Sequence, residues 1–352
     1  MAKLNVVVVG CGAITHGHLE AWKKVKQANI VAVSDLDEKL AEETARIWKI
    51  PHYYSSFDEM LEKTKPDVVN IATPPQSHAQ LAIQAMKSGS NIIIEKPMTL
   101  KTEDAEEIVK CQEETKLKAG VIHNWLFEPV IVHAISKVNQ GQLGQILSAH
   151  VDVINTKIDS MTKTKDHWSH KYVGGRFGEM LAHPIYLLRE FIGQCDVESV
   201  QTQKLGNYPW MISDEFFGIF RSEHLYGTAH ASFNGSREAI FVTVYGTDAI
   251  LRSEIKNAIT NIFPAKQDRR LSKVLDSINQ SNQIITSSFK SAGQVVFGRW
   301  ETGHQRYIRL FADSVINQTE VPISVEDGCA VVKVVEKTCK EIGKIEEERM
   351  NK

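Results

Sequence analysis

The chain predicts an α/β protein in two parts: an N-terminal doubly wound parallel sheet, then a C-terminal α+β domain built on a largely antiparallel open sheet. Three observations carry that expectation. Short apolar runs alternate with amphipathic stretches up to about residue 122. Beyond it, strand-like runs follow one another with tight turns such as Phe233-Asn234-Gly235-Ser236. The first apolar run also ends in Gly10-Cys11-Gly12-Ala13-Ile14-Thr15, directly ahead of a helical stretch. Strands that alternate with helices form a parallel sheet covered on both faces, whereas consecutive strands with short turns pair antiparallel.

In the first domain, residues 1–122, Leu4–Val9, Ile30–Ser34, Asp67–Ile71, Asn91–Ile94 and Ala119–Ile122 read as strands. Ala13–Lys26, Glu38–Trp48, Gln76–Lys87 and Thr102–Lys116 carry helical spacing of apolar residues. Thr102, ahead of Glu103-Asp104-Ala105, is expected to cap its helix, with acids in the first turn. The second domain, residues 123–352, offers Gln145–Thr156, Asp196–Lys204, Asp214–Arg221, Leu225–Phe233 and Ala239–Tyr245 as strands. A helix, Glu179–Gly193, lies between the first two of these, and Val325–Ile342 is helical.

Residues 264–300 interrupt the second domain with a polar, helix-compatible and basic stretch. Lys266, Arg269, Arg270, Lys273 and Lys290 outnumber Asp268 and Asp276 there. The stretch reads as a solvated insertion or subunit contact, and alternatively as a phosphate- or membrane-facing patch. No internal repeat or low-complexity tract is evident.

At 352 residues the chain is long enough for two cores. With 41 basic against 43 acidic side chains, no overall field draws it to nucleic acid or a membrane. Five scattered cysteines without a C-x-x-C pair argue against a disulfide framework and a structural zinc site. No signal-peptide pattern is read at Met-Ala-Lys, and no apolar stretch nears the roughly 20 residues of a membrane span. A cytoplasmic protein is expected.

The glycine turn is the first motif with chemistry. Gly10 makes the tight bend and Gly12 lets the backbone approach a pyrophosphate at the helix N-terminus, where Ala13 and Ile14 begin the first turn. Thr15 replaces the third glycine of the usual pattern. Asp35 ends the next strand at the spacing of an acid that binds the adenosine ribose. A carboxylate there repels a 2′-phosphate, and no Arg or Lys among residues 34–38 offsets it, so NAD is expected over NADP. Thr73-Pro74-Pro75 stiffens the loop after another strand, where a nicotinamide ribose would lie. His78 reads as a cofactor contact or as a polar residue of the first helical turn.

Glu95-Lys96-Pro97 ends the buried run Asn91-Ile92-Ile93-Ile94. Ligands of doubly wound sheets bind just beyond the carboxyl ends of the strands, and a following proline holds Lys96 extended. In the second domain, Gly174-Gly175-Arg176-Phe177-Gly178-Glu179-Met180-Leu181-Ala182-His183-Pro184 places Glu179 and His183 one helical turn apart. Histidine suits proton transfer to and from an alcohol. No further ligand cluster accompanies the Glu-x-x-x-His spacing, so no metal site is expected. Asp166-His167-Trp168-Ser169-His170-Lys171 is rich in recognition side chains: Trp168 can stack on a sugar face, while His170, Lys171 and Arg176 can meet an anionic group. Asn124, just past the last strand of the first domain, can reach the nicotinamide.

Gly10-x-Gly12, Thr73-Pro74-Pro75-x-x-His78, Glu95-Lys96-Pro97, and a glycine pair followed by an acid-x-x-x-His together resemble the Gfo/Idh/MocA oxidoreductases. The likeness continues through Gly303-His304 and Pro322 to Glu326-Asp327-Gly328. It implies that Lys96 lies between cofactor and substrate, that His183 transfers a proton, and that Pro97 follows a cis peptide bond. Glu179 stands where many members carry Asp, and Tyr186 where sugar-active members often carry Asp or His. The resemblance places the substrate pocket around Trp168.

The expected activity is hydride transfer between NAD and a hydroxyl carbon of a sugar, sugar acid, cyclitol or nucleotide sugar. Glu179 orients His183 in this reading, and Lys96 binds the substrate oxygen. The basic, His-rich loop tilts the expectation towards an acidic or phosphate-bearing sugar. A non-catalytic nicotinamide-binding regulator or scaffold is the alternative, and it would be expected to have lost Lys96, Glu179 or His183. The open face of the second sheet implies a homo-oligomer, a dimer or tetramer.

Overall fold

The computed structural model describes residues 3–265 and 270–351. Lys266, Asp268 and Arg269 of the basic stretch lie outside the described residues, as do the side chains of Arg270, Lys273, Asp276 and Lys290.

The chain opens with β1 (Leu4–Val9), α1 (Ala13–Lys24), β2 (Ala28–Ser34), α2 (Glu38–Trp48), β3 (His52–Tyr54) and α3 (Phe57–Thr64). It continues through β4 (Val68–Ile71), α4 (His78–Lys87), β5 (Asn91–Ile94), α5 (Thr102–Thr115) and β6 (Ala119–Val121). Next come α6 (Pro129–Asn139), β7 (Ile146–Thr156), α7 (Ser160–Lys163), α8 (Arg176–Met180) and α9 (Ala182–Ile192). Then follow β8 (Cys195–Gln203), β9 (Glu215–Ser222), β10 (Tyr226–Gly235), β11 (Ala239–Gly246), β12 (Ala249–Glu254) and β13 (Ile259–Pro264). Three helices complete it: α10 (Arg270–Val296), α11 (Gly303–Asn317) and α12 (Val325–Met350).

Two compact units emerge: Met1–Asn124 with Thr302–Lys333, and Trp125–Glu301 with Val334–Lys352. The first holds a six-stranded sheet in the order β3-β2-β1-β4-β5-β6, every pair parallel. Its central strands are buried on both faces, which is why their sequences run as unbroken Val and Ile. Strand order reverses between β1 and β4, so the crevice beyond their carboxyl ends is the ligand position of this topology. Helix α11 packs along α1, and Gln305 Nε2 donates to Glu20 Oε1 at 3.0 Å. On β6, a Cβ at Gly120 would sit 2.5 Å from the Tyr307 hydroxyl of α11 and 3.1 Å from the Ile323 carbonyl oxygen, so a larger residue there would have to displace them.

The second unit holds a seven-stranded sheet in the order β13-β12-β11-β7-β10-β9-β8. Its neighbours pair antiparallel except β7 and β10, which run parallel, so the sheet is largely antiparallel, as expected, with one parallel pair. Alternation sorts its side chains. Ala149, Val151, Phe216, Phe220, Ala229, Val242 and Leu251 are buried, and α9 packs over Gly227, where a Cβ would press on Leu188 and Ile192. Phe217, Ile219, Tyr226 and Tyr245 are exposed.

Several sequence expectations need correction. Thr102 is the first residue of α5; Lys101 takes the capping position and makes no side-chain cap. The helix expected over Glu179–Gly193 is two helices, α8 and α9, joined at Leu181. Pro184 falls in the first turn of α9, where its missing N–H costs nothing. Strands β3, β12 and β13 and helix α3 were not anticipated; β3 is only three residues long, too short for a period to register.

Candidate functional site

In the first unit the glycine turn joins β1 to α1 under tight backbone constraint. Gly10 has φ +91°, and a Cβ would lie 2.7 Å from the Ala72 carbonyl oxygen, so only glycine fits between β1 and the loop after β4. Gly12 is the N-cap of α1, and a Cβ there would meet nothing within 4 Å. Gly12, Ala13 and Ile14 are exposed, so the N–H groups at the start of α1 look onto open space suited to a pyrophosphate. Thr15 is buried and donates its hydroxyl to the Gly10 carbonyl at 2.7 Å, tying the turn to the helix in place of the third glycine. Burial pushes the Cys11 thiol up to about 11, so it is inert packing within the turn.

Asp35 lies at the end of β2. Its Oδ2 accepts the Cys11 N–H at 2.7 Å and its Oδ1 accepts the Asp37 N–H at 3.0 Å. The carboxylate is thereby fixed against the glycine turn, where ribose hydroxyls are read. The dinucleotide's phosphates and adenosine ribose thus find fitting partners in this unit.

Thr73 and Pro74 follow β4. The Thr73 hydroxyl shares a 2.7 Å hydrogen bond with that of Ser77, and Pro74 is exposed at the mouth of the loop. His78 is fully buried, with Nε2 2.7 Å from the Thr73 carbonyl oxygen and Nδ1 3.2 and 3.1 Å from those of Pro97 and Met98. It is a clamp between the Thr73 and Lys96 loops. Burial lowers its tendency to charge, against the pull of the three carbonyls.

Lys96 follows β5 and is half-buried; its peptide bond to Pro97 is cis, as the resemblance implied. Its N–H donates to Glu95 Oε2 at 2.9 Å. Glu95 is itself buried, and its Oε1 lies 2.9 Å from His18 Nε2 and 3.1 Å from His304 Nε2. The far nitrogen of His18, Nδ1, is 3.0 Å from Asn70 Oδ1, which also accepts the Trp22 indole N–H at 2.8 Å. An indole nitrogen only donates, so Trp22 fixes the Asn70 amide with its oxygen towards His18. His18 therefore faces an oxygen at each ring nitrogen. Burial alone would raise the Glu95 carboxyl, but the hydrogen bonds and charge of His18 and His304 win and hold it well below the usual range. Neither histidine was singled out beforehand as a partner of Glu95; they come from α1 and α11, distant in sequence. Their donor atoms and the Glu95 carboxylate lie within 4.8 Å of one another, a grouping that could also hold a metal ion. Asn124, at the end of this unit, is buried.

In the second unit, Gly174 and Gly175 both take positive φ, +75° and +55°, and turn the chain into α8. A Cβ on Gly174 would press on the Cys339 sulfur at 3.1 Å. Arg176 and Glu179 form a buried ion pair, and Arg176 Nη2 reaches Asp159 Oδ2 at 3.3 Å. His183 is buried on α9. Its Nδ1 lies 2.7 Å from the Tyr186 hydroxyl, and its ring stacks on Trp125 at 3.7 Å between centroids, 13° from parallel. The Tyr186 hydroxyl in turn accepts the Trp125 N–H at 3.1 Å. The partner found at His183 Nδ1 is thus Tyr186, and the one found at Glu179 is Arg176. Neither Trp125 nor Asp159 had been assigned a part in this arrangement, because both come from loops without a period.

Trp168 is half-buried and tilts against His167 and Tyr172, 4.8 and 5.3 Å between centroids. His170 Nε2 lies 2.9 Å from the Met161 carbonyl oxygen; burial, and then the Arg176 charge, act to keep its imidazole neutral while the carbonyl opposes them. His170 and Arg176 line one cavity with Tyr172, Trp210, Ser213 and Glu346.

Residues 4–123 match the oxidoreductase family described by its NAD-binding Rossmann fold, and residues 135–343 match the C-terminal alpha/beta domain of the same family. Over 290 residues the chain is 25% identical to scyllo-inositol 2-dehydrogenase (NAD(+)) of Bacillus subtilis, covering 80% of each. Among solved structures it resembles levoglucosan dehydrogenase in complex with NADH and levoglucosan, with TM-score 0.80 and 19% identity over 97% of this chain and 98% of that one. It also resembles the WlbA dehydrogenase of Bordetella pertussis in complex with NADH and UDP-GlcNAcA, with TM-score 0.79 and 18% identity over 97% and 96%. With both domain types matched in order along most of its length, this chain belongs to the Gfo/Idh/MocA family of NAD-binding oxidoreductases.

Proposed function

We propose that the chain is an NAD-dependent dehydrogenase that moves a hydride between the nicotinamide and a hydroxyl-bearing carbon of a carbohydrate: a sugar, sugar acid, cyclitol or nucleotide sugar. The observation that carries this reading is His183, an imidazole held by a hydroxyl and a stacked indole, in a chain that also has an intact dinucleotide turn. Relatives named for scyllo-inositol and levoglucosan support the substrate class.

When bound, NAD supplies the hydride acceptor. Gly10, Gly12, Ala13 and Ile14 hold its pyrophosphate, and Asp35 the adenosine ribose. Thr73, Pro74, His78 and Asn124 shape the nicotinamide end, His78 by fixing the loops. His183, its Nδ1 held by the Tyr186 hydroxyl, takes the proton of the substrate hydroxyl. Lys96 hydrogen-bonds the substrate oxygen and stabilises its developing negative charge. The C–H pair leaves as hydride and the O–H proton goes to His183, so the products are a carbonyl compound, NADH and a proton. Glu179 sets the charge of the α8 turn through Arg176. Trp168, His170, Arg176 and Tyr186 set substrate preference.

The chain acts as a homo-oligomer in the cytoplasm in this reading, its exposed Phe217, Ile219, Tyr226 and Tyr245 covered by a second copy. No described helix is long and apolar enough to cross a membrane. The test is NADH absorbance with a panel of sugars, sugar acids, inositols and nucleotide sugars. Turnover of at least one class supports the proposal. Tight NAD binding without turnover of any would favour a non-catalytic nicotinamide-binding regulator.

A further inference from the structure

A histidine side chain keeps two freedoms once its helix has placed Cβ. The ring can turn over about Cβ–Cγ, exchanging the places of Nδ1 and Cδ2, and its plane can rock within a broad well. A side chain that must present one nitrogen to a substrate needs both removed. His183 has a separate restraint on each, and both lead to Trp125.

The first restraint is a hydrogen bond. Tyr186 stands three residues further along α9, on the same side of the helix, and its hydroxyl lies 2.7 Å from His183 Nδ1. That contact selects one of the two ring settings, because a ring carbon in place of Nδ1 would forfeit the hydrogen bond. The hydroxyl is itself anchored from outside α9: it accepts the backbone N–H of Trp125 at 3.1 Å.

The second restraint is a stack. The Trp125 indole lies flat on the imidazole, with centroids 3.7 Å apart and planes 13° from parallel. The Tyr186 ring meets the same imidazole edge-on, at 5.6 Å and 71°. The indole closes one face and sets the plane, the phenol bounds the Nδ1 edge, and Nε2 is thereby held in one direction. Trp125 is firmly placed for this. It belongs to the short turn Asn124–Phe127, and its carbonyl accepts the N–H of Glu128, the residue at the capping position of α6.

The stack also bears on charge. Taking up the substrate proton makes His183 an imidazolium, and the partner at its Nδ1 is a neutral hydroxyl. The Glu179 carboxylate on α8 is engaged by Arg176. An indole face attracts a cation within about 6 Å of its centre, more strongly when the pair is shielded from water, and His183 is buried.

We infer that Trp125 is the positioning residue of the proton-transfer step: its indole sets the plane of His183, and its backbone N–H, through Tyr186, sets which ring nitrogen faces the substrate. This rests on the proton transfer proposed for His183.

Two variants of the full chain test it. Trp125→Leu removes the aromatic face and keeps the backbone N–H; Trp125→Phe keeps a smaller aromatic face. In protein labelled with carbon-13 at histidine Cε1, the His183 signal is the one lost in His183→Gln. It should lie upfield in wild type, under the ring current of the indole, and move downfield in Trp125→Leu. In single turnover with NAD and a reacting carbohydrate, Trp125→Leu should form NADH about 10- to 100-fold more slowly. Its NAD affinity and its KM for the carbohydrate should stay within about two-fold of wild type. Trp125→Phe should show both effects in smaller measure. Three results would overturn the inference: a His183 signal that neither substitution moves, NADH formation at the wild-type rate in Trp125→Leu, or a loss confined to KM, which would make Trp125 a substrate contact. A wild type that oxidises no carbohydrate counts against the dehydrogenase reading instead, and the His183 signal still decides whether Trp125 holds the ring.

Discussion

Glu95→Gln is the change that probes the core of the first unit most sharply, because the two side chains have the same shape and differ in charge. The carboxylate accepts from His18 and His304 on one oxygen and from the Lys96 N–H on the other. An amide cannot do both. With its oxygen towards the imidazoles, its NH2 meets the Lys96 N–H; turned over, it meets two imidazoles that must then give up hydrogen. The first arrangement leaves a buried donor unmet at about 1–3 kcal/mol, the second gives up the charge of the pairing, and removing one partner of a buried ion pair costs about 3–5 kcal/mol. These overlap, so a net loss of about 3 kcal/mol is expected at neutral pH. At about 2–4 °C per kcal/mol, the variant should melt about 6–12 °C lower.

The pH dependence has a definite sign. A carboxyl held below its unfolded value stabilises the fold above the ordinary carboxylate range and loses that contribution as pH falls through its folded value. Thermal melts of wild type and variant across pH should therefore show the full gap at neutral pH, closing in acid. Equal melting at neutral pH, or a gap that widens on acidification, would refute the assignment of Glu95 as an ionised partner of His18 and His304.

Other outcomes follow from the same geometry. Asp35→Ala removes the acceptor for the Cys11 N–H and the expected ribose partner, so NADH affinity should fall by about 10- to 100-fold and the preference over NADPH should narrow; fluorescence titration with both nucleotides measures it. Gly10→Ala places a Cβ 2.7 Å from a backbone oxygen at a φ of +91°, and a loss of at least about 2 kcal/mol, read by chemical denaturation, is expected.

The parallel sheet was legible because its strands are buried on both faces and so are written as plain apolar runs: β1, β4 and β5 were placed within a residue of their observed bounds. The glycine turn and Asp35 were legible because backbone geometry at Gly10 admits one residue type and the spacing to the next strand end is fixed by the βαβ unit. What sequence could not give was partnership across distance. His18 and His304 are separated by most of the chain, and only the packing of α11 on α1 brings both to Glu95. Tyr186 was read for the substrate, yet its hydroxyl meets His183 because α9 carries both one turn apart. The parallel pairing of β7 with β10 was equally hidden, since periodicity within a strand says nothing of its neighbour's direction.

The most direct test of the proposed chemistry is single-turnover formation of NADH with saturating NAD and whichever carbohydrate of the panel reacts. Wild type, Lys96→Ala and His183→Ala should bind NAD alike, while each variant forms NADH about 10²-fold or more slowly. NADH formation at the wild-type rate in either variant would contradict the roles given to Lys96 and His183.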